Sequence, residues 1–209
     1  MDHAFYHFIL PVPDHVNFMI LKLKNEAKRL IGNYTSMQAR GHITINNYPR
    51  KPFEADVQGF SFLSRRLNLL PSVVFEIDGF DCFNEGNNYN KTIYAKIKLS
   101  EQNRYWLKLL KDIVGESSTV PHITIARNLT PGQFNRLWPH FQKREMKVKF
   151  VVSRLTILQN LLNEHDHHAK IYREFDFRGD EKALVGYANA GLNRQFKNYS
   201  SINQQVSLF

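Results

Sequence analysis

The stretches RGHITINNY at residues 40–48 and PHITIARNL at residues 121–129 hold one tetrapeptide twice, His42-Ile43-Thr44-Ile45 and His122-Ile123-Thr124-Ile125. Both are rich in β-branched residues, which favour extended backbone. On a strand, side chains two apart share a face. His42 and Thr44 are therefore neighbours on one surface, and so are His122 and Thr124. Ile43 and Ile123 point the other way, into a core. A strand buried on both sides would not carry such a polar face, so that face meets water, a partner or a ligand.

The chain around each motif follows a common order. Residues 4–12 (AFYHFILPV) form an apolar run that ends at Pro13 and reads as a buried strand. A helix is predicted from about Asp14 to Ile31, with Val16, Met19, Ile20, Leu23, Ala27 and Leu30 at helical spacing and Gly32 as its C-terminal cap. The first motif strand stops at Pro49, and a second helix spans roughly 54–70. SVVFEIDGFDCF and KTIYAKIKLS read as strands, joined by the turn NEGNNYN. The second half repeats the order with a helix at about 101–114 and then VPHITIARN. Thr130-Pro131-Gly132-Gln133 has the spacing of a capping box with Pro at the first helical position. Three extended stretches follow, at about 146–152, 154–162 and 168–176. The body is one domain, 1–176. Residues 177–209 turn rich in Gly, Asn, Gln and Ser and read as an extension of no assigned role.

The 209 residues carry a formal charge of +9, which favours anionic partners such as nucleic acid, nucleotides or phosphorylated small molecules. Cys82 is the only cysteine, so no internal disulfide argues for a secreted, stapled fold. The N-terminal apolar stretch lacks a basic flank and a small-residue cleavage site, and charges interrupt the longer apolar runs. A cytoplasmic enzyme or binding protein is expected, with no membrane span and no obligate protein partner.

If a pseudo-two-fold relates the halves, the two polar pairs converge on one cleft. Two imidazoles across a phosphate suit acid–base cleavage of a phosphodiester. With an unperturbed pKa of about 6.5, one can be neutral and the other protonated near neutral pH. The neutral ring takes a proton from the nucleophile and the charged ring gives one to the leaving oxygen. The Thr44 and Thr124 hydroxyls can donate to non-bridging phosphate oxygens. This constellation requires no metal and no cofactor.

With these motifs the chain resembles the 2H phosphoesterases, in particular the LigT-like RNA 2',3'-cyclic phosphodiesterases, also called 2'-5' RNA ligases. The resemblance covers most of 1–176. It includes FILPVP followed by a helix, PHITIAR with Arg127, and the hairpin made by VSRLTILQNLL and AKIYREFDF. It implies a bilobal α+β fold with a pseudo-two-fold, two antiparallel sheets lining a central cleft and helices outside. It carries the catalytic roles onto His42, Thr44, His122 and Thr124. It also implies metal-independent hydrolysis of a 2',3'-cyclic phosphate, on an RNA end or a small nucleotide, giving a 2'-phosphate. A 2'-5' ligase or 2'-5' phosphodiesterase would use the same pocket. A module that binds RNA or nucleotide ends without turnover is the reading from a different class. Which histidine is acid and which base is open at this point.

Further candidates surround the motifs. Arg127 contacts phosphate or pairs with a carboxylate. Tyr6 and Phe8 alternate with His7 on the first strand, and one of these faces reaches the cleft and can stack a base. Tyr48, with Arg50 and Lys51, follows the first motif and can touch ribose or phosphate. His165, Asp166, His167 and His168 lie in a predicted turn and read as a polar turn rather than a metal site. Lys143, Arg144, Lys147 and Lys149 form a basic stretch that either steers RNA or is a solvated surface.

Overall fold

Amphipathic spacing builds α1 (Asp14–Ile31), which buries Val16, Ile20, Leu23 and Ala27. Gly32 stops it with φ 76°, a left-handed conformation that glycine adopts without a Cβ clash, and its N–H donates to the Lys28 carbonyl at 2.9 Å. The computed structural model describes residues 3–52, 62–83, 91–115, 118–161 and 169–180. In chain order it has β1 (His3–Pro11), α1, β2 (His42–Pro52), and a helix α2 of which 62–67 are described. Next come β3 (Val73–Phe83), β4 (Lys91–Lys98), α3 (Glu101–Val114), β5 (His122–Leu129) and α4 (Pro131–Gln142). β6 (Lys147–Val152), β7 (Arg154–Leu161) and β8 (Lys170–Asp176) complete the order. The capping box read from Thr130 and Gln133 is present at the start of α4, and Ser100 and Asn103 make another at α3.

The fold is α+β, but the two sheets expected from the resemblance are one. The described strands form a single antiparallel ladder of order β6-β3-β4-β5-β2-β1-β7-β8. Its halves, β6-β3-β4-β5 and β2-β1-β7-β8, meet where β2 pairs with β5 through Ile43 and Ile123. Side-chain alternation says which face of a strand is polar and is silent on what pairs along its edge. The two motif strands pair with each other.

A pseudo-two-fold runs through that bridge. β1-α1-β2 corresponds to β4-α3-β5, β7 flanks β1 as β3 flanks β4, and β8 corresponds to β6. The helices exchange partners across it: α1 packs on β5, and α3 packs on β2. The face they cover is the core, where Leu10, Ile43, Ile77, Ala95 and Ile123 are all fully buried. That burial stabilises the fold by roughly 1.5–3 kcal/mol per large aliphatic side chain.

β2 does not stop at Pro49 but runs to Pro52, paired with β1 as far as His3. Pro49 lies in the register shift between the Ala4–Lys51 and Tyr6–Tyr48 pairs, an irregularity where a strand tolerates proline. Of the helix expected at 54–70, residues 53–61 fall outside the described residues. So do the turns at 84–90 and 162–168, with His165–His168, and the extension from 181. The first residues past 176 dock on the body. Phe177 is buried against Trp106 with ring centroids 5.2 Å apart, its N–H meets the Ser153 carbonyl, and the Gly179 N–H meets the Leu70 carbonyl. In the basic stretch, Lys147 and Lys149 stand opposite Asp78 and Glu76, and Arg144 pairs with Glu26. Opposite charges thus face each other across β3 and β6. Among the described residues no helix is long and apolar enough to cross a membrane.

Candidate active site

The Ile43–Ile123 bridge decides the geometry. In an antiparallel pair the flanking residues align reciprocally, so His42 lies across from Thr124 and His122 across from Thr44. All four are half-buried, on the face opposite the two buried isoleucines. The histidines occupy a diagonal of the pair, which on a sheet separates residues by about 7–8 Å. Two rings at that spacing can reach opposite sides of one phosphorus centre.

Each ring is held the same way. His42 Nδ1 donates to the Arg40 carbonyl at 2.9 Å, and His122 Nδ1 donates to the Val120 carbonyl at 2.7 Å. A carbonyl only accepts, so the proton sits on Nδ1 and the neutral ring presents Nε2 as a lone pair. Ahead of His42, the Gly41 N–H donates to Asn17 Oδ1 at 2.9 Å, and a Cβ at Gly41 would stand 3.1 Å from Val12 Cγ2. The approach to His42 is therefore packed against α1.

Both motif strands carry a bulge at the same place. Thr44 faces Ile9 and Asn46 faces Phe8, so Ile45 is the extra residue; Thr124 faces Tyr94 and Ala126 faces Ile93, so Ile125 is the extra residue. A bulge reverses the alternation beyond it. Ile45 is buried, and Asn46 turns to the helix side, where its side chain donates to the Val114 and Gly115 carbonyls. Ile125 and Ala126 are both buried. The residue five after each histidine then returns to the site face: Asn47 in one strand, Arg127 in the other. Asn47 Oδ1 accepts from His7 Nδ1 at 2.7 Å.

The structure thus brings His42, Thr44, His122, Thr124, Arg127 and His7 to one face. Tyr6 is not among them. It lies on the helix side, 1% exposed, edge-on to Tyr172 with its hydroxyl accepting from Gln159 Nε2. β1 alternates, and its Phe8 and Leu10 are core residues, so Tyr6 shares their fate while His7 takes the open face. Tyr48 lies on β2 in register with Tyr6. Asn47 escaped the sequence reading, although aligning RGHITINN with VPHITIAR sets it beside Arg127. Phe83 and Tyr94, which cluster beside His122, and the buried Lys24 also escaped it. Nothing in a single strand's pattern points to them.

The two rings differ in their electrostatic surroundings. Burial lowers the pKa of His42, and the charges of Lys24, Arg127 and His7 lower it further against the raising effect of the Arg40 carbonyl. Burial also lowers the pKa of His122, with the Val120 carbonyl opposing. Its neighbours are rings: Tyr94 at 4.9 Å and Phe83 at 5.1 Å between centroids. His7 is lowered by burial, and Arg127 adds to that.

No protein-family model matches the chain, and no curated protein matches it by sequence. Solved structures do match. TT0787 of Thermus thermophilus superposes with a TM-score of 0.58 at 20% identity, over 86% of this chain and 100% of that one. E. coli LigT in its apo form gives a TM-score of 0.59 at 10% identity, over 85% and 99%. E. coli LigT complexed with 3'-AMP gives 0.58 at 12% identity over the same shares. An antiparallel α+β sheet with a His-x-Thr pair on either side of a pseudo-two-fold is the architecture. At the level of fold the likeness is to LigT, so the chain has a LigT-like fold.

Proposed function

We propose that this chain hydrolyses 2',3'-cyclic phosphodiesters by two-histidine acid–base catalysis. The observation that carries the reading is the matched pair of imidazoles, each fixed by a carbonyl at Nδ1 and each across the bridge from the other motif's threonine. A module that only gripped a nucleotide end would have no use for two rings held with Nε2 free.

The charges around His42 favour its neutral form, which suits the base; His122, clustered with Phe83 and Tyr94 and lowered by burial rather than by neighbouring cations, suits the acid. Water attacks phosphorus as His42 Nε2 takes its proton. The bond from phosphorus to the 3'-oxygen breaks, and that oxygen takes the proton of His122 Nε2–H. The products are a 2'-phosphate and a free 3'-hydroxyl, and proton exchange with solvent resets both rings. Thr44 and Thr124 donate to the non-bridging oxygens, and Arg127 offsets their charge. The bound phosphate's own negative charge raises the pKa of His122 toward the protonated form that the acid needs. E. coli LigT has been crystallised with 3'-AMP, which makes a nucleotide end a reasonable occupant here.

The test uses the four nucleoside 2',3'-cyclic monophosphates with purified protein in EDTA, the products being resolved as 2'- or 3'-phosphates. Formation of 2'-phosphate that disappears in His42→Ala and in His122→Ala supports the reading. If these substrates and RNA with a cyclic end all survive, the hydrolase reading fails. Cleavage or joining of 2'-5' linked oligonucleotides would then identify the alternative activity of the same pocket.

A further inference from the structure

Lys24 is a lysine on α1 turned into the interior, 2% exposed. Its ammonium donates to two backbone carbonyls, Ser36 at 2.9 Å and Ala39 at 2.7 Å. Both belong to the connection from α1 to β2. That connection is tied to α1 twice more: the Tyr34 hydroxyl donates to the Lys24 carbonyl at 3.0 Å, and the Gly41 N–H donates to Asn17 Oδ1 at 2.9 Å.

Two contacts leave this connection for the site. The Arg40 carbonyl, one residue past Ala39, accepts from His42 Nδ1. The Ser36 hydroxyl oxygen, on a residue 3% exposed, accepts from the Arg127 N–H at 3.2 Å. One buried ammonium therefore stands behind a residue of each motif, although α1 itself belongs to one half.

A lysine is a costly fastener. Burial opposes its charge and lowers its pKa to about 8, with Arg127 adding to the effect, and its partners are carbonyls rather than a carboxylate. An apolar side chain would fill the space without that cost. What it could not do is hold two carbonyls of the connection at once.

We propose that Lys24 is a positioning residue: it fixes residues 36–40 so that the Arg40 carbonyl meets His42 Nδ1 and the Ser36 hydroxyl meets the Arg127 backbone. The kinetic part of its test rests on the hydrolase reading; the spectroscopic part does not.

The test compares Lys24→Met with the parent by long-range 1H–15N spectra of the histidine rings near neutral pH, and by turnover of a nucleoside 2',3'-cyclic monophosphate. In the parent both rings should report the Nδ1–H form. In Lys24→Met the His42 ring should become a mixture of tautomers while His122, held by a different segment, keeps its form. The fall in kcat should be about tenfold, the scale of a misplaced catalytic group. Ser36→Ala keeps both carbonyls for Lys24 and loses only the contact to Arg127. It should raise KM severalfold and leave kcat and the His42 tautomer as they were. If Lys24→Met does not fold, Lys24→Leu, which likewise donates to neither carbonyl, is read the same way. An unchanged His42 ring in a folded Lys24 variant overturns the proposal, as does a change that strikes His42 and His122 alike. Should the parent turn over no substrate at all, the function reading falls, and the ring spectra still decide the role of Lys24.

Discussion

His42 and His122 end the same hydrogen bond, from Nδ1 to the carbonyl two residues back, on strands with the same bulge. Around that shared backbone the halves differ. His42 is approached through glycine and α1 and feels the charges of Lys24, Arg127 and His7. His122 is approached through Pro121 and lies beside the paired rings of Phe83 and Tyr94. The backbone repeat places two equivalent imidazoles in unequal surroundings, and in the proposed function that inequality divides the labour between them.

The largest expected effect tests equivalence. His42→Ala and His122→Ala should each lower turnover by about 10²–10⁴-fold, the usual contribution of a general acid or base. Equilibrium binding of nucleotide should persist in both. A loss confined to one variant would break the comparison.

The approach to each ring comes next. Gly41→Ala brings a Cβ to 3.1 Å from Val12 Cγ2 and should lower the unfolding free energy by about 1–3 kcal/mol, as overpacking does. Pro121→Ala, at the equivalent place, should cost clearly less. Denaturant midpoints of the two variants read the difference directly.

Arg127→Met sharpens the electrostatic contrast. Removing that cation should raise the pKa of His42 and of His7 and leave that of His122 unmoved, as followed by ring-proton shifts. KM for a cyclic nucleotide should rise about tenfold through the lost charge-assisted contact.

The smallest effect concerns acid stability. Both site histidines have folded-state pKa values below the ordinary 6.5, so the unfolded chain binds more protons as pH falls through that value. Their contribution to stability is complete above about 6.5 and is lost below it. His42→Gln and His122→Gln should each flatten the fall in Tm below about pH 6.5.

Much of this was legible in the chain. The repeated tetrapeptide locates both motif strands, and a period of two puts His and Thr on one face with Ile on the other. Helical spacing gives α1 and α3, and Thr130 to Gln133 gives the cap of α4. What the pattern hides is long-range. The Ile43–Ile123 pairing that merges two sheets into one is a contact between residues 80 apart. The bulges at Ile45 and Ile125 invert the alternation, which is how Arg127 reaches the site from an odd offset and how Asn47 joins it. Tyr6 and His7 are both plausible from composition, and only the packed face of β1 separates them. Lys24 reads as a polar position on a surface helix until the connection folds over it.

The bulges carry one last consequence, for direction. A pocket with a perfect two-fold axis reads a phosphodiester equally well forwards and backwards and would release either ester oxygen. Here the axis relates a neutral amide, Asn47, to a guanidinium, Arg127. In the proposed function, that asymmetry would let the pocket favour release of one ester oxygen over the other. Exchanging the pair, Asn47→Arg with Arg127→Asn, should shift the product ratio from 2'-phosphate toward 3'-phosphate with both histidines still in place.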